Sequence, residues 1–90
     1  MTSLRSPSSD AVTMKILTYL REKWVEPGLE IGLETDLFED GVIDSIGVLT
    51  LVRYLEDEFE IEIAPEDLVL ENFVTISAIG LLVARIAHRQ

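Results

Sequence analysis

Apolar residues recur at helical spacing in three stretches of the chain, and each stretch begins at a residue that can cap a helix. The first stretch starts at Asp10, a good helix cap, and its pattern stops at Pro27-Gly28. Its apolar members are Val12, Ile16, Leu17, Leu20 and Trp24. This spacing predicts a first helix, followed by a long loop.

A second apolar stripe predicts a helix from Ser45 to Phe59, and this stripe should be the main core face. Successive members fall three or four residues apart, as expected for one face of a helix. They are Val48, Leu51, Val52, Leu55 and Phe59. Ile46 and Leu49 lie off this face and close to Ser45, where they either cover a pocket or remain exposed for a partner.

The C-terminal third of the chain predicts two more helices of unequal length. Ala64-Pro65 starts a short third helix, because proline suits the first turn, and this helix ends around Asn72. Thr75 can cap the last helix, and the basic residues at its C-terminal end suit the helix dipole. The residues expected to be buried on it are Ile76, Ile79, Val83 and Ile86, with Leu82 and Ala87 beside them.

Two connections lack a helical period but carry apolar residues that should anchor them to the core. In the loop of residues 26–44 these are Leu37, Phe38, Val42 and Ile43. Residues 60–63 alternate like a strand, yet no other segment could pair with them, so we expect an extended connection with its isoleucines inward. The predicted fold is therefore all-α: a four-helix bundle with a short third helix and a long loop between helices one and two.

The length of the chain allows one domain. Ninety residues leave no material for a second core once the first is built, and the 48% apolar content is typical of a folded globule. Residues 1–9 read as a flexible polar N-terminal tail, and residues 10–90 as the helical domain. We expect a monomer without a deep enclosed active site.

The chain is strongly acidic, with 17 acidic against 7 basic residues and a formal net charge of −10. This balance argues against binding to nucleic acid or to an anionic membrane surface, and it favours basic protein surfaces as partners. The acids crowd the middle of the chain. There they keep a small domain soluble, steer it onto basic partners, or do both.

The chain has no cysteine, so any thiol chemistry must come from an added group. A disulfide framework and a thiolate metal site are both excluded. The N-terminal segment lacks the apolar core of a signal peptide, and no run is long enough to span a bilayer. We therefore expect a cytoplasmic protein without membrane insertion.

Asp44-Ser45-Ile46 places a serine at the start of the second predicted helix. Unpaired backbone N–H groups and the positive end of the helix dipole favour a phosphate ester on a hydroxyl in that position. Together with Asp40-Gly41, this tripeptide resembles the attachment site of acyl and peptidyl carrier proteins, and the resemblance extends over residues 10–88. It implies that Ser45 carries a covalent 4′-phosphopantetheine and that Asp44, as the helix cap, and Ile46 complete the cofactor-binding site.

The resemblance also implies a set of partners. A phosphopantetheinyl transferase, generally using magnesium, would add the arm from coenzyme A. An acyl- or amino-acid-activating ligase or adenylation enzyme would load it, and synthase or tailoring enzymes would act on the cargo. The cargo is held as a thioester on the arm, so the protein is a carrier and not an enzyme. The predicted partner-binding residues are Ile46, Leu49, Arg53, Glu56 and Asp57.

The second helix departs from the pattern of fatty-acid-type carriers. Those carriers commonly have acidic residues one or two turns after the serine and an apolar residue at the place of Arg53. This chain has Gly47, Thr50 and Arg53 instead, and its acidic residues, Glu56 and Asp57, come further along. The departure favours a free-standing carrier of polyketide or nonribosomal peptide metabolism. A D-alanyl or fatty-acid carrier and an unmodified acidic helical interaction domain remain alternatives.

Other interpretations of the same residues have less support. Ser45 as an ordinary helix cap is the simplest alternative. Ser45 as a hydrolase nucleophile with His88 as its base would lack a Gly-x-Ser-x-Gly motif. A calcium loop around Asp36 would need ligands where Phe38 and Gly47 stand, so we predict no metal site.

Overall fold

The computed structural model describes residues 9–24 and 30–89, and over these residues it is helical without strands. Its α-helices are α1 (Ser9–Lys23), α2 (Ser45–Phe59) and α3 (Ile76–Arg89). Residues 1–8 of the predicted tail and the helix stop at Pro27-Gly28 lie outside the described residues, whereas Ser9, predicted as the last residue of the tail, belongs to α1. α1 begins at Ser9, so Asp10 lies inside its first turn rather than at the cap position predicted from the sequence. No helix in the described part of the chain is both long and apolar enough to cross a membrane.

The helices bury the predicted faces only in part, and α2 contributes fewer buried apolar residues than α1 or α3 although it was predicted to be the main core face. The predicted core residues that are only partly buried are Val48, Val52 and Phe59 of α2 and Trp24 next to α1. Leu51 and Leu55 of α2 are fully buried, and Thr75 caps α3 by accepting the Ala78 N–H at 3.0 Å. The predicted neighbour Ala87 is exposed instead. The core residues of α1 and α3 are Val12, Ile16, Leu17 and Leu20, and Ile76, Ile79, Leu82, Val83 and Ile86.

The loop before α2 is anchored to the core at Leu37, as its apolar content predicted. Leu37 is fully buried, its N–H donates to the Val74 carbonyl at 2.8 Å, and its own carbonyl accepts the N–H groups of Val42 and Ile43. Val42 and Ile43 are buried as well. These contacts tie the loop to the start of α3 and fix the point at which the chain enters α2.

The segment after α2 does not form the short third helix that the sequence predicted. The extended connection with buried Ile61 and Ile63 is confirmed, but it is followed by two separate 3₁₀ turns, Pro65–Asp67 and Leu70–Asn72. Between them Val69 has extended dihedral angles, and the Asn72 side chain donates to the Asp67 carbonyl at 2.8 Å. That carbonyl is therefore satisfied by a side chain rather than by a continuing helical ladder.

Asp67 joins this segment to the end of α3. Its carboxylate accepts the Ala64 N–H and forms a 2.9 Å salt bridge with Arg89, and its side chain is nearly buried. The hydrogen bond from Arg89 lowers the pKa of the Asp67 carboxyl below its ordinary value. Because the folded state holds the lower pKa, the pair stabilises the fold above the ordinary pKa and loses that contribution as pH falls through the lowered one.

We expect Asp67→Asn to lower the melting temperature near neutral pH and to lower it much less in acid. The reason is that protonation of Asp67 in the wild type removes the same charge that the substitution removes. Melting curves of both proteins between about pH 6 and about pH 2 measure the difference. A difference that stays constant over this range would contradict the assignment of the ion pair.

Gly80 of α3 allows a close approach to α1. A Cβ atom at this position would lie 2.5 Å from Thr13 Cγ2, and both residues are buried. Thr13 is β-branched and cannot easily rotate away.

We therefore expect Gly80→Ala to destabilise the fold by about 1–3 kcal/mol through overpacking, partly offset by the better helix propensity of alanine. Urea unfolding measures the change. Gly32→Ala is the matched control, because a Cβ there meets only Thr35 Oγ1, at 3.9 Å. Adding Thr13→Ser to Gly80→Ala removes the clashing methyl and should restore part of the stability; no recovery would show that this contact is not the cause.

Candidate functional site

Asp44 is the N-cap of α2, as the sequence predicted. It has extended backbone angles, and its Oδ1 accepts the Gly47 N–H at 2.7 Å. Its carbonyl accepts the Val48 N–H at 3.0 Å and so begins the helical ladder. Because Asp44 performs the capping, the interpretation of Ser45 as the cap is not needed.

The turn before this cap is built by Asp36 and Gly41. Asp36 Oδ1 accepts the N–H groups of Phe38 and Glu39, at 3.1 Å and 2.8 Å. Gly41 has a φ of 76°, a left-handed conformation that glycine adopts without strain. The side chain of Asp36 therefore stabilises the turn, and the described residues contain no cluster of acidic, His or Cys side chains that could hold a metal ion.

Ser45 is exposed at the first position of α2. Within the described part of the chain, no hydrogen bond engages its hydroxyl. The first turn of α2 contains no acidic residue, so the positive end of the helix dipole is not opposed there except by the cap. These features fit an anionic phosphodiester on the Ser45 oxygen, because the helix N-terminus favours negative charge and no competing bond must be broken.

An apolar cleft of about 280 Å³ opens beside Ser45. Its walls come from the loop before α2, from α2 itself and from the 3₁₀ segment, and Ser45 is their only polar residue. Phe73 is packed in the core with 1% exposure, and it also contributes to the cleft. The lining residues are Phe38, Ser45, Val48, Leu49, Leu68, Val69, Leu70 and Phe73.

Sequence reasoning did not identify Leu68, Val69 and Leu70 as part of this site. All three are exposed, although they are consecutive apolar residues. Such a run on the surface of a small acidic domain is itself a signal of a binding surface. The sequence instead predicts a short helix for this segment, so it does not reveal the exposed surface.

The exposed face of α2 contains most of the predicted partner-binding residues. Ile46 is 74% exposed and Leu49 is 59% exposed, so Ile46 does not close a pocket and Leu49 only borders the cleft. Arg53 and Asp57 are exposed further along the helix. Glu56 differs from them, because it is half-buried and its Oε2 accepts the Ile63 N–H at 2.9 Å.

His88, the only histidine, is exposed in the last turn of α3. It borders a shallow surface formed by Leu81, Ala84, Arg85 and Arg89, and it is absent from the cleft beside Ser45. The structure therefore does not bring together the serine and the histidine that a hydrolase would need.

Comparisons with known proteins show the family of the chain. A family model described as a phosphopantetheine attachment site matches residues 14–83, which is most of the chain. Among curated proteins, D-alanyl carrier proteins from Lactococcus lactis subsp. cremoris strains MG1363 and SK11 and from subsp. lactis strain IL1403 are each 35% identical over 48 residues. The match covers 53% of this chain and 61% of each relative, so the chain spans about three-fifths of the length of these proteins. The chain belongs to the phosphopantetheine-attachment family of carrier proteins, whose domains bear a covalent 4′-phosphopantetheine.

Proposed function

We propose that Ser45 is the attachment residue for 4′-phosphopantetheine and that the chain carries an acyl or aminoacyl group between enzymes. The observation that supports this most is the exposed Ser45 hydroxyl at the N-terminus of α2. This hydroxyl has no hydrogen bond to the described residues, because Asp44 caps the helix in its place. The terminal thiol of the arm supplies the chemistry, by holding cargo as a thioester. The chain supplies a fixed, anion-favouring attachment point.

The chain itself is a carrier without catalytic activity in this proposal. A serine hydroxyl is a weak nucleophile unless a base lies beside it, and His88 lies in the last turn of α3, outside the Ser45 cleft. The base that activates Ser45 then belongs to the phosphopantetheinyl transferase. The exposed hydroxyl is accessible to such an enzyme without rearrangement of the helix.

Partner enzymes dock on the exposed face of α2 in this proposal. Any enzyme that acts on Ser45, or on a group attached to it, must contact the surface around that residue. Ile46 and Leu49 offer apolar contacts there, and Arg53 and Asp57 offer charged ones. The Glu56 carboxylate already accepts the Ile63 N–H, so Glu56 contributes less to docking than the sequence suggested.

The cargo favoured by the comparisons is aminoacyl, because the three similar relatives are named D-alanyl carrier proteins. A ligase that activates D-alanine is then the loading partner. The polyketide or nonribosomal peptide setting that the sequence suggested stays a prediction.

An apolar acyl cargo is a second candidate, and the cleft beside Ser45 supports it. Its walls hold no charged side chain, so an alkyl group could be buried there at little cost. The ammonium group of an aminoacyl cargo would lose its hydration without gaining a partner. A D-alanyl group would therefore remain outside the cleft, and an acyl chain would enter it.

The attachment is tested by incubating the protein with coenzyme A, magnesium and a broad-specificity phosphopantetheinyl transferase. Intact-mass spectrometry should show a gain of one phosphopantetheine, and fragmentation should locate it on Ser45. A gain on another residue would overturn the assignment. So would the absence of any gain while a known carrier is modified in the same mixture.

The cargo is tested on the modified protein. ATP, D-alanine and a D-alanine-activating ligase should give a D-alanyl thioester, whereas octanoate and an acyl-activating ligase should give an octanoyl thioester if the second candidate is correct. Amide NMR then shows whether the cargo enters the cleft. An octanoyl chain should shift the amide signals of Leu68 to Leu70, whereas a D-alanyl group should leave them unchanged. Loading of octanoate alone would reject the D-alanyl assignment.

A further inference from the structure

We propose that Arg53 is a specificity-determining residue, which favours enzymes that present a carboxylate beside an apolar patch and disfavours enzymes that present a basic patch. This inference rests on the proposed attachment at Ser45, because it concerns the enzymes that reach that residue. The overall acidity of the chain suggests partners with basic surfaces, whereas this inference favours partners with a carboxylate next to the apolar patch.

The position of Arg53 places it within the area that such an enzyme covers. Arg53 lies eight residues after Ser45 on the same helix, which corresponds to about 12 Å along the helix axis. Ile46, Leu49 and Arg53 follow one another at intervals of three and four residues, so they share one exposed face. An enzyme seated over Ser45 and the two apolar side chains therefore meets the Arg53 guanidinium next.

The acidic residues of α2 do not make this face as negative as the sequence suggests. The Glu56 carboxylate accepts the Ile63 N–H at 2.9 Å, and the Glu58 carboxylate forms a 2.8 Å salt bridge with Lys15 of α1. Among the acids of α2, this leaves Asp57 without a bond to the described residues. Beyond the apolar patch, the charged side chains of α2 that remain free for a partner are therefore one cation, Arg53, and one anion, Asp57.

Arg53 itself is available to a partner. It is exposed, and none of the described residues forms a hydrogen bond or an ion pair with it. Asp57 lies one turn later, but a pair with the acid on the C-terminal side of the base is the weaker arrangement on a helix. A carboxylate on the partner gains a charge-assisted bond without breaking one, whereas a lysine or arginine there meets repulsion.

The test uses the unmodified protein and a phosphopantetheinyl transferase chosen for a basic docking surface. We expect Arg53→Glu to lower the KM for the carrier at least about threefold with kcat unchanged, because charges at the edge of an interface act on association. Arg53→Gln should lie between the wild type and Arg53→Glu. Isothermal titration calorimetry without coenzyme A should show the same order of dissociation constants, so the result does not depend on turnover.

Arg21→Glu is the matched control. Arg21 is exposed on α1 without a hydrogen bond or ion pair to the described residues, and its replacement changes the net charge as much as Arg53→Glu does. A KM that is unchanged or raised in Arg53→Glu, or lowered equally in Arg21→Glu, would overturn the proposal. If neither the wild type nor any variant is modified while a known carrier is, the attachment at Ser45 fails and the role of Arg53 fails with it.

Discussion

Replacing Ser45 with alanine should abolish phosphopantetheine attachment completely and leave the fold nearly intact. Attachment needs the hydroxyl oxygen, and no other residue of the turn can supply one in the same place. The fold should hardly change because Ser45 is exposed and Asp44 provides the cap. The loss of stability should therefore stay below the ~1 kcal/mol typical of a lost cap. Intact-mass spectrometry and a thermal melt measure the two effects.

Ser77→Ala is the matched control for this variant. Ser77 also lies in the first turn of an α-helix, but its hydroxyl donates to Glu34 Oε2 at 2.6 Å and so belongs to the contact between the loop and α3. Its replacement should leave attachment at the wild-type level. An adduct on Ser45→Ala would show that another residue is the acceptor, and a loss of adduct from Ser77→Ala would point to a general effect on folding.

The helices of this protein were predictable because their information is local. Leu51 and Leu55 mark the buried face of α2 through spacing alone, and Asp44 and Thr75 are residue types that cap helices wherever the chain allows it. The anchoring of the loop through Leu37 followed from the cost of leaving such a residue in water. Each of these predictions needed only a window of a few residues.

The segment between α2 and α3 was not predictable in the same way. Its proline and following acids are the usual start of a helix, yet Asp67 within it also bonds to Arg89, which is 22 positions away in the chain. The Asn72 side chain then donates to the Asp67 carbonyl, which in a continuous helix would accept a backbone N–H instead. Long-range polar contacts of this kind leave no periodic trace in the sequence.

One part of the candidate site was predictable from local sequence, and the other part depended on contacts between distant segments. The proposal of Ser45 as the attachment residue follows from its local context, but the cleft beside it required the position of the 3₁₀ segment, which brings Leu68 to Leu70 next to α2. The sequence also does not show which acids of α2 are free, because a count of carboxylates does not reveal that Glu56 and Glu58 are bonded within the fold. Charge composition gives the net field of a domain, whereas docking depends on which charges remain free.

Replacing Leu51 with alanine should cost about 2–5 kcal/mol of unfolding free energy. Leu51 is fully buried at the centre of α2, and the neighbouring core residues cannot all close around the missing side chain. A domain of this size has a total stability of about 5–15 kcal/mol, so the loss is a large share of it. Urea unfolding followed by circular dichroism should show a lower midpoint with an unchanged slope.

Leu49→Ala is the matched control, since it makes the same chemical change on the same helix. Leu49 is 59% exposed, and substitutions at exposed positions usually change stability by no more than about 0.5 kcal/mol. The two variants should therefore differ several-fold in their effect, although their helix propensities change equally. If they destabilised the protein to the same degree, or if Leu51→Ala had no effect, the orientation of α2 would be wrong. The exposed face that carries Ile46, Leu49 and Arg53 would then have to be assigned again.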